Sequence, residues 1–207
     1  TAHVSYLAAL EDLAHNALRK KGTEFNRYRG PKGLEKFEKE AIKKGRDMRP
    51  QDVIEWWRIS RASVIEILAK SSPGKKLTWW KNEIDCRTFA VTKLAETWAH
   101  SLDVYDAMKK DYEDTVRVEH VALFGWLNAE QATKVNKTKY QDLRIELIGP
   151  EYKAWQFGDE QSENSIKGNA SDWCRVVTGR VPKGHKLTLS TEGEFAKKFV
   201  KFNHVKI

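Results

Sequence analysis

Apolar residues recur at helical spacing from the first positions of the chain. Ala2, Tyr6, Ala9, Leu10, Leu13, Ala17 and Leu18 form one stripe, the pattern of an amphipathic helix. Gly22, after Lys20 and Lys21, marks its end. "NRYRGPKG" is a turn by its Gly and Pro content. "GLEKFEKEAIKKG" then predicts a polar, exposed helix that stops at Gly45. Pro50 opens the next helix, where Val53, Ile54, Trp57, Val64, Ile67 and Leu68 predict a core-facing stripe. A loop carrying Trp79 and Trp80 leads into the longest predicted helix, 87–109, and one more is predicted over 116–135.

The period changes near residue 139. "DLRIELIGP" alternates Leu143, Ile145 and Leu147 with Arg144 and Glu146, which is a strand pattern. "YKAWQFG" repeats it after a short turn and predicts a hairpin. "NASDWCRVVTGR" predicts a helix capped by Asn169 or Ser171. "HKLTLST" predicts another strand and "EGEFAKKFVKF" a closing helix. The fold class is therefore α+β. Residues 1–138 are expected to form an up-and-down helical bundle, and residues 139–207 a small α+β module.

Composition narrows the function. At 40% hydrophobic and 32% charged residues the chain is globular rather than disordered. No apolar run is long enough for a membrane span, and no membrane partner is expected. Cys86 and Cys174 stand far apart and match no metal-ligand spacing, so they read as the free thiols of a cytoplasmic protein. The net charge of +8 raises nucleic acid as a partner. Its lysines, however, are scattered among Glu and Asp with no nucleic-acid motif, which reads as a solvated surface.

One segment carries candidate chemistry. In "ETWAHSLDVYDAM", Glu96, His100 and Asp103 fall at i, i+4 and i+7, on a single helical face. A Glu and a His one turn apart can reach one cation, but a third ligand must come from another helix. His3, His15 and His120 are the histidines on other predicted helices, and spacing does not choose among them. The same stripe also suits plain surface polarity.

Three further segments narrow this. "KLAETWAHSLDVYDAM" resembles a helix of the mycothiol-dependent maleylpyruvate isomerase family, within the DinB-like metal-binding bundles, in the branch that carries Glu-Thr-Trp-Ala-His. "IEWWRISRASVIEIL" resembles that branch's helix with Trp56, Trp57, Arg58 and Arg61, and "AHVSYL" is similar to its segment with the first ligand. "DWCRVVTGR" resembles part of its C-terminal α+β module. The resemblance implies His3, Glu96 and His100 as metal ligands; Asp103 either braces a ligand histidine, His100 or His3, or simply faces solvent or an Arg. Arg180 matches a recurring Gly-Arg and is the candidate for holding an anionic substrate or thiol cofactor, or equally a helix C-terminal charge on backbone carbonyls. Two departures from the branch are Lys93 in place of Arg and Ser101 in place of Gly. The family also has a helix ahead of the His3 position, so the first helix is expected to be missing or trimmed from this sequence.

Two imidazoles and a carboxylate suit catalytic zinc, and equally ferrous iron. The resemblance implies a low-molecular-weight thiol such as mycothiol, deprotonated at the metal and added to an electrophile, for S-transfer or cis–trans isomerisation. A metal-dependent hydrolase and a non-catalytic metal-binding protein are the alternatives. The expected partners are small molecules, and a homo-oligomer is left open.

Overall fold

The computed structural model describes residues 2–20, 23–28, 32–79, 82–202 and 204. Its packing divides the chain into two units, 1–90 and 91–207. The dividing point lies inside one helix, whereas the change from helices to a sheet comes later in the chain.

The first unit opens with α1 (Ala2–Lys20), a 3-10 turn (Thr23–Tyr28), α2 (Gly33–Arg46) and α3 (Pro50–Ala69). Gly22 and residues 29–31, on which the helix end and part of the expected turn fall, lie outside the described residues. α1 buries Leu10, Leu13, Ala14 and Ala17 against Phe37, Val64, Leu77, Trp79 and Phe89. α2 is not wholly exposed, because Phe37, Ala41 and Gly45 recur every fourth residue and bury one face. α3 starts as expected, with Arg49 extended and Pro50 in the first turn. Its stripe is shifted, however. Val53, Ser60 and Val64 are buried, whereas Ile54 is exposed. The reason is polar: Asp12 of α1 accepts the Trp56 indole N–H at 2.6 Å and the Ser60 hydroxyl at 2.5 Å. These bonds turn α3 about its axis and satisfy Ser60 where it is buried.

The loop expected around Trp79 is instead an antiparallel hairpin, β1 (Lys76–Trp79) with β2 (Asn82–Asp85). Trp79 is buried edge-on against Phe89, at 4.9 Å between ring centres, so it packs rather than lining a site. Trp80 lies outside the described residues.

α4 (Cys86–Ala107) begins in the first unit and runs into the second. The helix expected over 116–135 is broken into α5 (Val118–Leu127) and α6 (Ala129–Val135). Asn128 causes the break, since its side-chain amide and its backbone N–H both donate to the Phe124 carbonyl. A four-stranded sheet follows, in the order β4 (Ala154–Phe157), β3 (Arg144–Ile148), β5 (Ser165–Asn169), β6 (Leu189–Glu192). β3 pairs antiparallel with β4, the expected hairpin, and parallel with β5, a strand absent from the sequence reading. α7 (Ala170–Val177) follows β5 directly, capped by Asn169, whose side chain accepts from the N–H groups of Ser171 and Asp172. α8 (Glu194–Phe199) closes the unit.

The core of this unit gathers Leu143, Ile145, Leu147 and Ile166 from the sheet with Trp173, Val177, Phe195 and Phe199 from the helices. α5 and α7 approach closely at Gly125, where an added Cβ would stand 2.6 Å from a Val177 methyl. Helices joined to a small mixed sheet make the protein α+β, as the sequence predicts.

Candidate metal centre

Glu96, His100 and Asp103 share one face of α4, and the first two are buried. Glu96 is paired with Lys93, one turn before it, at 2.7 Å, with both side chains nearly closed to solvent. Lys93 thus neutralises the carboxylate, a role that the i, i+3 spacing could have signalled. Asp103 Oδ2 stands 3.2 Å from His100 Nδ1. The same oxygen lies 3.2 Å from Arg180 Nη2.

Arg180 reaches Asp103 because of how α7 ends. Arg180 N–H donates to the Arg175 carbonyl and Gly179 N–H to the Val176 carbonyl, the paired bonds of a Schellman cap. That cap needs a left-handed residue, and Gly179 supplies it with φ of 67°. "VVTGR" is thus a helix stop that delivers a guanidinium. Arg180 Nη1 also donates to the Thr178 carbonyl at 2.6 Å, so the side chain is held at two points. Asp114 gives a second link between α4 and α7: it accepts the Trp98 indole N–H at 2.6 Å and the Ser171 hydroxyl. The sequence reading missed Asp114, which lies in a loop without a motif.

The remaining candidates are placed as follows. His3 is exposed on α1, in the first unit. His120 is exposed on α5. Cys86 and Cys174 are both buried free thiols. Burial, with the Asp114 charge adding to it, pushes the Cys174 thiol well above its ordinary value, which excludes it as a nucleophile. His204 is half-buried against Phe199 and Phe202, not on the surface. Burial lowers its pKa to about 4, against a hydrogen bond to the Phe199 carbonyl that acts the other way, so the ring is neutral.

Arg180 and His185 lie in the segment that links α7 to β6. Asp172, buried on α7, receives the Thr188 N–H at 2.6 Å, the Thr188 hydroxyl at 2.7 Å and a His185 ring nitrogen at 2.7 Å. Burial pushes the Asp172 pKa up, but these bonds outweigh it and hold the carboxyl below its usual value. A depressed carboxylate stabilises the fold fully above its unfolded value and loses that contribution as pH falls through the folded one. Urea midpoints are therefore expected to be higher for the parent than for Asp172→Asn at neutral pH. The difference should hold down to the ordinary aspartate value of about 3.9, shrink below it, and vanish once pH has passed the folded value. A difference that persists at lower pH would show that this charge is not responsible.

Helices joined to a small mixed sheet, with a buried histidine and carboxylates on one stripe, define an α+β protein with a candidate metal centre. The model of the mycothiol maleylpyruvate isomerase N-terminal domain matches residues 1–105, and the chain belongs to that family. Uncharacterized proteins from two strains of Mycobacterium tuberculosis are each 32% identical over 133 residues, covering 63% of this chain and 52% of their own length. The chain thus spans about half the length of the curated relatives it matches. A crystal structure of the mycothiol-dependent maleylpyruvate isomerase is similar in fold, with a TM-score of 0.50 at 20% identity, covering 92% of this chain and 75% of that one. Among the described residues no helix is long and apolar enough to cross a membrane.

Proposed function

We propose that the chain belongs to a metal-dependent, thiol-using enzyme, an isomerase of the maleylpyruvate type before an S-transferase. The donor set that the resemblance implies is two imidazoles and one carboxylate: His3, His100 and Glu96. These donors fit zinc, with positions left for water or substrate. A divalent cation bound there would supply charge that favours the thiolate of a low-molecular-weight thiol such as mycothiol. Asp103 fixes the His100 ring by its contact with Nδ1, which makes Nε2 the ligand nitrogen. Lys93 pairs with the Glu96 carboxylate at 2.7 Å. Arg180 offers a planar guanidinium to the carboxylate of an oxo-acid substrate or of the thiol.

The reading rests on one observation, the line from Arg180 through Asp103 to His100, because such bracing is the usual companion of a metal-ligating histidine. The family match across residues 1–105, which includes His3 and all of the α4 stripe, supports it. Elemental analysis is expected to find about one zinc per chain. Isomerisation of maleylpyruvate, followed by its absorbance, should require added mycothiol. A chain that takes up no metal after incubation with zinc would overturn the proposal. Zinc without thiol-dependent turnover would leave a metal-binding protein in place of the isomerase.

A further inference from the structure

A second candidate site lies wholly within the first unit. A cavity of about 430 Å³ opens among α1, the 3-10 turn, α2 and α3, within the size range of about 300–1,000 Å³ common for small-molecule sites. Among the described residues, those that line it belong to α1, the 3-10 turn, α2 and α3.

Two aromatic walls are each pinned by a carboxylate. Trp56 donates its indole N–H to Asp12, which also takes the buried Ser60 hydroxyl. Tyr28 donates its hydroxyl to Glu40 at 2.9 Å and stands edge-on to Phe37 at 5.1 Å. Burial, and then the Glu40 partner, raises the Tyr28 pKa, so the phenol stays a donor. Each wall also carries a cation. The Lys44 ammonium sits 3.7 Å from the Trp56 ring centre, and the Arg27 guanidinium 5.2 Å from that of Tyr28.

This arrangement selects among ligands. Both ring faces already hold a positive charge, so a cationic guest would meet repulsion. Both carboxylates already accept hydrogen bonds, Asp12 two and Glu40 two. Lys44 and Arg27 also have N–H groups to offer a ligand. Lys44 Nζ is 4.0 Å from Asp12, beyond hydrogen-bond distance. Arg27 spends one Nη on Glu40 and keeps its other N–H groups. A carboxylate would take these donors, and a flat apolar body would lie along Trp56, Tyr28 and Phe37.

We propose that this cavity binds a small aromatic carboxylic acid, with its carboxylate on Lys44 and Arg27 and its ring against Trp56 and Tyr28. None of the residues that line it is a proposed metal ligand, so it stands or falls independently of zinc.

Benzoate is the probe, titrated into the 15N-labelled full chain while the Trp56 indole N–H signal is followed. Loss of one peak in Trp56→Phe assigns that signal. A saturable shift is expected with millimolar benzoate, and Lys44→Gln should weaken it by at least about tenfold, the usual worth of one charge-assisted hydrogen bond. Lys44 is more than half exposed, so Lys44→Gln should fold, and its unchanged remaining spectrum checks this. The same titration on His100→Ala should give the parent affinity. The proposal is overturned by no saturable shift, by a benzoate affinity unchanged in Lys44→Gln, or by tetramethylammonium binding to the parent as tightly as benzoate.

Discussion

Zinc retention is expected to be lost in His100→Ala, with affinity falling more than about a hundredfold relative to the parent. Removing a residue that merely orients a ligand costs roughly 10–100-fold, and removing the ligand must cost more. The substitution is gentle on the helix, because Ala has the highest helix propensity and His100 lies well inside α4. Asp103→Asn should fall within the smaller range, since it keeps the shape and weakens the brace on Nδ1. Comparing Glu96→Gln with Asp103→Asn then identifies the ligating carboxylate as the one whose loss matches that of His100. Competition with a chromogenic chelator gives the affinities. His100→Ala with the zinc affinity of the parent would remove His100 from the centre altogether.

The largest stability loss is expected at Trp173→Ala. This side chain is fully buried, stacks on Phe199 at 5.9 Å, and donates its indole N–H to the Ala122 carbonyl at 3.0 Å. Deleting a buried Trp costs about 3–5 kcal/mol, and the lost indole hydrogen bond adds to it. Total stabilities run from about 5 to 15 kcal/mol, so the second unit should be close to unfolding. Trp173→Phe keeps the stack and loses the hydrogen bond, and should cost about 1–2 kcal/mol. Urea unfolding measures both. A loss below about 1 kcal/mol for Trp173→Ala would show that Trp173 does not anchor this core.

Most helices can be read from spacing because one buried face fixes which positions are apolar, as in α1 and α7. Where polar groups set the packing, spacing misleads. Ile54 is exposed because the Asp12 bonds turn Trp56 and Ser60 inward. The β1–β2 hairpin hid behind a turn without Gly or Asn-Gly, although Lys76 to Trp79 does alternate exposed with less exposed positions. β5 holds one large apolar residue, Ile166, and is a strand because β3 and β6 pair with it on either side. Local sequence does not contain that information.

The candidate site divides along the same line. The stripe Glu96–His100–Asp103 is local and follows from helical period. The contact between Arg180 and Asp103 spans 77 positions and exists because two separate elements are brought together. A resemblance pointed to Arg180, and no pattern within this chain would have paired it with Asp103.

The Schellman ending of α7 makes the length of that helix a phase setting. Inserting one residue into α7 would rotate its end by about 100° and advance it by about 1.5 Å, swinging the cap and Arg180 off Asp103 while every side chain of α4 stayed unchanged. The line to His100 is thus sensitive to the reading frame of a helix that contributes no ligand. Single insertions or deletions between Asn169 and Gly179 should therefore break it.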